Sequence, residues 1–172
     1  MSYQTNVLSG SHLPILIKVL QLSYGPVLEI GMGLNSTPVL HWLCKEAGRE
    51  LLSLENDPKW LEPNKAFETG LHKVEFVTDW DKAPIFLPDE DQRWSVVLID
   101  HRPALRRRIE AMRLKDRADY IILHDSEPEI DRFYRYSGIY KHFKYRFDFT
   151  TIGKPNTTVL SNFEDVRNLW IL

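Results

Sequence analysis

The sequence predicts an α/β fold, a three-layer sandwich whose helices cover both faces of a mostly parallel seven-stranded sheet with a C-terminal antiparallel hairpin. Three observations carry that prediction. Short apolar runs alternate with longer amphipathic stretches through most of the chain. The run 94–99 is apolar almost throughout, which marks a strand buried on both faces. Two β-rich runs, 145–150 and 157–161, are separated by a turn holding Gly153, Lys154, Pro155 and Asn156. They pair antiparallel, because parallel neighbours need a longer crossover.

In chain order, residues 13–22 form an opening helix that the Tyr24-Gly25-Pro26 breaker ends. Residues 27–30 are a short strand carrying one acid, Glu29, and stopping at a glycine pair. The next helix takes Ser36 or Thr37 as its cap and Pro38 in its first turn, and ends before Gly48. Residues 51–54 are the second strand, which runs into Glu55-Asn56-Asp57. A helix over 58–69 carries Pro63 inside it and closes at Gly70. A third strand over 73–78 ends at Asp79, and the proline- and acid-rich stretch 83–92 is a loop. The fourth strand ends at Asp100. A helix over 104–114 then turns Leu105, Ile109 and Met112 inward, with Leu114 as a further candidate, and its arginines outward. A fifth strand over 120–123 ends at His124-Asp125, and an aromatic-rich helix over 129–143 is interrupted by Gly138.

A chain of 172 residues fits one domain over 1–172, with a helical lid over 1–25 and a core over 26–162. The net charge of −2 argues against a nucleic-acid grip built on bulk positive charge. Arg106-Arg107-Arg108 accordingly reads as the solvated face of a helix. A single cysteine, Cys44, excludes an internal disulfide framework and is expected to be a packing residue. Residues 1–10 lack the basic and apolar regions of a signal peptide. The stretch 13–22 is too short to span a bilayer and is broken by Pro14, Lys18 and Gln21. A cytoplasmic protein with no membrane partner is the expectation.

Acids and polar groups gather just after the strand runs, at Glu29, Glu55, Asp79, Asp100 and Asp125. In open α/β sheets the ligand lies beyond the carboxyl ends of the strands, near the point where strand order reverses. Glu29-Ile30-Gly31-Met32-Gly33-Leu34-Asn35-Ser36-Thr37 is a tight glycine turn between a strand and a helix, where backbone can approach a ligand closely. Glu55 follows at the end of the second strand, where a carboxylate can accept both hydroxyls of a ribose. Turn and acid together point to an adenosine-containing ligand. Three features then separate a sulfonium ligand from NAD. Ser36 stands where the dinucleotide fingerprint wants glycine or alanine; Glu29 would repel a pyrophosphate but attract a sulfonium with an amino group; and no second domain is expected after the sheet.

On these residues the chain resembles the class I S-adenosylmethionine-dependent methyltransferases, which have a Rossmann-like fold. Val27-Leu28-Glu29-Ile30-Gly31-Met32-Gly33 is similar to their first motif, and Leu52-Ser53-Leu54-Glu55-Asn56-Asp57 to their second-strand motif, whose acid holds the ribose. Asp79-Trp80 resembles the pair that contacts adenine. Val97-Leu98-Ile99-Asp100-His101 and Ile121-Ile122-Leu123-His124-Asp125 resemble strand ends of the branch containing small O-methyltransferases. The resemblance runs from about residue 27 to residue 162. It implies S-adenosyl-L-methionine as cofactor, bound by Glu29, Gly31, Met32, Gly33, Ser36, Thr37, Glu55, Asn56, Asp79, Trp80 and Asp100, and transfer of its methyl group to an oxygen or nitrogen on a small-molecule, sugar or peptide acceptor.

The chain departs from the metal-dependent members of that branch, where an asparagine follows the fifth-strand aspartate; here Ser126 follows Asp125. A divalent cation on Asp100 and Asp125 is therefore not favoured, and no metal ligands are assigned. His101 is the first candidate for a general base, followed by Asp100, Asp125 and His124, all at the ligand-facing strand ends. Ser11 is expected to cap the first helix, the alternative being that Ser9-Gly10-Ser11-His12 folds over the pocket. Of Phe133, Tyr134, Tyr136, Tyr140, Phe143 and Tyr145, half are core by packing, and the rest line an acceptor site or a homodimer face. The alternatives to a methyltransferase are an NAD-dependent oxidoreductase on the same sheet and a non-catalytic cofactor-binding module.

Overall fold

The computed structural model describes residues 10–151 and 155–170. Its strands are β1 (Val27–Ile30), β2 (Leu51–Glu55), β3 (His72–Phe76), β4 (Trp94–Ile99), β5 (Ala118–His124), β6 (Tyr145–Phe149) and β7 (Thr157–Ser161). They form one sheet in the order β3-β2-β1-β4-β5-β7-β6. β1 to β5 are mutually parallel, and β7 runs antiparallel to both β5 and β6. The seven-stranded sheet and its closing hairpin match the expectation, apart from residues 1–9 and 152–154, which lie outside the described residues.

Strand side chains alternate between the two faces and build two cores. Leu28, Ile30, Val97, Ile99, Ile121 and Leu123 pack on one face with Ala111 and Leu114 of α4 (Arg107–Leu114). Val27, Val96, Leu98, Tyr120 and Ile122 pack on the other. There they meet α1 (Leu13–Gln21) through Ile15, Leu16, Val19 and Leu20, and α2 (Ser36–Glu46) through Leu40 and Cys44. Each buried aliphatic side chain contributes about 1.5–3 kcal/mol of transfer free energy. Cys44 is a packing residue, its thiol pushed up to about 11 by burial. The body of α1 is a core helix, and at its entry Ser11 meets His124 at the end of β5. No helix among the described residues is long and apolar enough to cross a membrane.

Four local expectations are corrected. The helix over 58–69 is α3 (Pro58–Asn64) followed by a 3-10 turn over Lys65–Phe67; Pro63 has no N–H for the ladder, and regular α-helix ends one residue later. The helix over 129–143 breaks into α5 (Asp131–Tyr134) and 3-10 turns over Pro128–Ile130, Tyr136–Gly138 and Tyr140–His142. The break is at Arg135, which takes a left-handed φ of +54°, while the Asp131 carboxylate accepts from the Ser137 N–H and hydroxyl. Gly138 is not the interruption. Neither helix cap is the expected residue: Asn35 precedes α2 and His12 precedes α1.

The fourth correction reverses a helix face. Leu105 and Ile109 are exposed, whereas Arg107, Glu110 and Ala111 point inward from α4 together with the expected Leu114, and Met112 packs partly buried against the core. The positions 107, 110, 111 and 114 have the same helical spacing as any apolar stripe. What buries two charged residues there is a set of partners at the strand ends. Arg106 is tied to Asp81 and Glu110, so the arginine triplet is not a solvated face.

Candidate cofactor and active site

Strand order reverses between β1 and β4, and in open α/β sheets the crevice that takes a ligand lies beyond the carboxyl ends at such a point. β1 leaves the sheet at Gly31, whose φ is +97°. A Cβ at this position would stand 2.4 Å from the His101 nitrogen and 2.6 Å from the Asp100 carbonyl carbon. Gly31 is thus required both for its dihedral and for the close approach of the β4 end. At Gly33 a Cβ would meet Ser36 Oγ at 3.5 Å, an ordinary contact.

Beneath the turn lies Glu29, completely buried. Thr37 Oγ1 accepts from the Gly33 N–H at 3.0 Å and donates to Glu29 at 3.0 Å. Ser53, opposite Glu29 in the β1–β2 register, donates to it at 2.6 Å. The chain of contacts continues from Ser53 to His72 Nε2 at 2.9 Å, and from His72 Nδ1 to His41 Nδ1 at 3.1 Å. Burial pushes the Glu29 carboxyl up to about 7, although the hydroxyls of Ser36, Ser53 and Thr37 oppose it. Burial likewise pulls His72 down to about 4.

Glu55 ends β2 and is also buried. Its Oε2 accepts from the Met32 N–H of the glycine turn at 2.8 Å, and its Oε1 from the N–H groups of Asn56 and Asp57, each at 2.8 Å. Burial raises its pKa against these three donors. Glu29, Gly31, Met32, Gly33, Ser36, Thr37, Glu55 and Asn56 are therefore brought together. The Asp79 carboxylate accepts from the Asp81 N–H at 3.0 Å, and Trp80 is packed in the core, its indole N–H on the Arg102 carbonyl at 3.2 Å.

Across the crevice, β4 and β5 end around one buried guanidinium. Arg107 donates to Asp100 Oδ1 at 2.8 Å and Asp125 Oδ2 at 2.9 Å. It also donates to the carbonyls of His101 at 2.7 Å and Asp100 at 3.0 Å. Its charge thus sits between the two carboxylates that a cation would need. Asp100 Oδ2 turns instead to His124 Nδ1 at 3.2 Å, and His124 Nε2 lies 3.2 Å from Ser11 Oγ, which donates to the Pro155 carbonyl at 2.7 Å. Burial works to raise the Asp100 carboxyl, yet Arg107 and His124 hold it below the ordinary range. Burial works to lower His124, yet Asp100 and Asp125 keep it raised.

Asp125 adopts a φ of +56° and accepts from the Tyr134 hydroxyl at 3.0 Å, while Tyr136 donates to the His124 carbonyl at 3.2 Å. Asp100, His124 and Asp125 form one cluster. His101 is outside it: its ring packs 4.3 Å from Trp80, with Nε2 3.7 Å from Glu110, and burial pulls its pKa down to about 3. The residues missed by sequence reasoning are Arg107, Glu110, Ser53 and His72, whereas Tyr134 and Tyr136 belong to the aromatic cluster already singled out. The helical spacing of 107, 110, 111 and 114 was the signal available for the first two.

No protein-family model matches the chain, and no curated protein matches it in sequence. Solved structures do. An O-methyltransferase from Bacillus cereus in complex with SAH superposes with a TM-score of 0.62 at 14% identity, covering 93% of this chain and 83% of its own. The O-methyltransferase TomG from Streptomyces achromogenes, in complex with SAM, gives 0.65 at 14% identity over 91% and 80%. The N-terminal domain of human METTL16, in complex with SAH, gives 0.57 at 15% identity over 89% and 70%. At such identities the likeness is one of architecture: the chain has the Rossmann-like fold of the class I S-adenosylmethionine-dependent methyltransferases.

Proposed function

We propose that the protein is an S-adenosylmethionine-dependent methyltransferase acting on an oxygen or nitrogen of a small-molecule, sugar or peptide acceptor. The observation that carries this reading is the buried Glu55 carboxylate, joined by a hydrogen bond to the glycine turn of the switch-point crevice. Oε1 accepts two N–H bonds and Oε2 only one, which leaves a lone pair on Oε2 for a ribose hydroxyl. Asp100 at the end of β4, held below the ordinary carboxylate range, favours a cationic ligand over a pyrophosphate. The donor set therefore fits an adenosyl sulfonium. Bound there, that cofactor supplies an electrophilic methyl group on a good leaving group.

The protein's own contribution is mainly positioning, for which effective molarities can reach about 10⁵ M or more. Glu55 and the turn over residues 31–33 hold the nucleoside. Arg107 fixes the ends of β4 and β5 as a rigid opposite wall. Asp100 orients His124 through Nδ1. In its neutral form His124, held through Nδ1 by Asp100, would be the strand-end group that takes the acceptor's proton.

A thermal-shift series tests the reading. S-adenosylmethionine and S-adenosylhomocysteine at about a hundredfold over Kd should each stabilise the protein by about 2.7 kcal/mol, several degrees in Tm. Stabilisation by NAD(H) alone overturns the proposal. Release of S-adenosylhomocysteine in the presence of an acceptor separates an enzyme from a binding module.

A further inference from the structure

We infer that His12, Asp100 and His124 form a site for a divalent first-row transition ion of the zinc class, which clasps the entry of α1 to the ends of β4 and β5. One ligand atom from each of the three residues lies within 4.8 Å of the others. His12 is 2% exposed, and neither of its ring nitrogens has a hydrogen-bond partner among the described residues. A buried imidazole with no partner is costly, because its polar atoms have left water without replacement. Its ring stands edge-on to that of His124, with centroids 4.5 Å apart.

The other two ligands are already set. With ligand bonds of about 2.0–2.1 Å, adjacent donors of a tetrahedral shell stand about 3.4 Å apart. His124 Nδ1 and Asp100 Oδ2 are 3.2 Å apart. Outer partners orient both: His124 Nε2 faces Ser11 Oγ, itself anchored on the Pro155 carbonyl, and Asp100 Oδ1 is held by Arg107. Such supports fix the ring orientation that a metal requires. Only His12 has to close in.

Two imidazoles and one carboxylate suit zinc, cobalt or iron better than magnesium or calcium, which prefer an all-oxygen shell. This set differs from an Asp100–Asp125 cation site, since Asp125 is turned onto Arg107. Three protein ligands leave a fourth position open to water or to an acceptor atom. The site rests on these ligands whether or not the crevice takes an adenosyl compound.

The test is titration of the whole, metal-stripped protein with cobalt(II) chloride, read by visible absorption, and with zinc chloride, read by calorimetry. One equivalent should bind, with a tetrahedral cobalt spectrum. Affinity should fall more than about a hundredfold in His12→Ala, in the volume-preserving His12→Gln and in His124→Ala, but not in His142→Ala. Circular dichroism checks that each variant is folded. Absence of binding in the wild type, or affinity unchanged in folded His12→Gln, overturns the site. Titration of the same preparations with S-adenosylhomocysteine keeps this outcome separate from the methyltransferase reading.

Discussion

Two buried arginines close opposite ends of the sheet, and they are held in contrasting ways. Arg49, at the amino ends of the strands, donates to the carbonyls of Gly25, Leu20 and Ser23 and to the hydroxyls of Ser23 and Ser95, at 2.6–3.3 Å. Its partners are all neutral, and burial lowers its pKa. Arg107, at the carboxyl ends, meets two carboxylates as well as carbonyls, and despite burial its pKa is raised. The first arrangement only fastens loops together. The second stores fixed charge beside the crevice, where charge can act on a ligand. The difference teaches that a buried guanidinium marks a functional end of this sheet by the charge of its partners, not by its burial.

The largest effect expected at the ligand end is from Gly31→Ala. The strained dihedral and the 2.4 Å clash with backbone together cost about 4 kcal/mol, and urea denaturation should show a chain unfolded or nearly so. A variant of ordinary stability contradicts the close approach of β1 and β4. Next, Arg107→Met leaves two carboxylates facing each other without their counter-charge and costs about 3 kcal/mol. It should also weaken S-adenosylhomocysteine binding more than about tenfold, because the far wall of the crevice loses its fixed form. Arg49→Met abandons neutral acceptors, costs about 2 kcal/mol and should leave that binding unchanged. Equal losses of affinity in the two variants dissolve the contrast.

A smaller effect separates the interior of the site from its surface. The folded value of about 7 for Glu29 lies above its ordinary 4.5. Below pH 4.5 both folded and unfolded chains hold the proton; between 4.5 and 7 only the folded chain does. Stability contributed by Glu29 is therefore lost as pH rises through that window, by roughly 2–3 kcal/mol. Buried His12, His72 and His101, with lowered values, slope the other way. The quantity to read is thus the difference between wild type and Glu29→Gln in urea midpoints at pH 5 and 7.5. The variant should lack the Glu29 component; identical slopes count against a protonated Glu29.

The half of the crevice made by β1 and β2 was legible in the sequence because local geometry dictates it. A glycine at positive φ after a strand, a helix start and an acid at the end of the next strand all lie within 27 residues, from Glu29 to Glu55. The half made by β4 and β5 was legible only in part. Asp100 and His124-Asp125 could be placed at strand ends, but Arg107 could not be put between them. Hydrophobicity turned Leu105 and Ile109 inward in place of Arg107 and Glu110, and the partners that bury Arg107 lie up to 18 residues away. His101 looked ligand-facing from its position after β4, yet its ring turns to Trp80 and Glu110. Direction of a side chain after a strand end is set by the neighbouring helix, which strand periodicity does not encode. The broken helix over 129–143 failed for a similar reason: Arg135 in a left-handed conformation carries no glycine signal.

The central claim, that Glu55 is the ribose ligand of the crevice, is tested most directly by calorimetric titration of S-adenosylhomocysteine into wild type and folded Glu55→Ala. The account predicts one equivalent bound by the wild type. It predicts a loss of about 2 kcal/mol, roughly thirtyfold, in the variant, as expected for a hydrogen bond to a buried charge. No heat with the wild type, or equal affinity in both proteins, contradicts it.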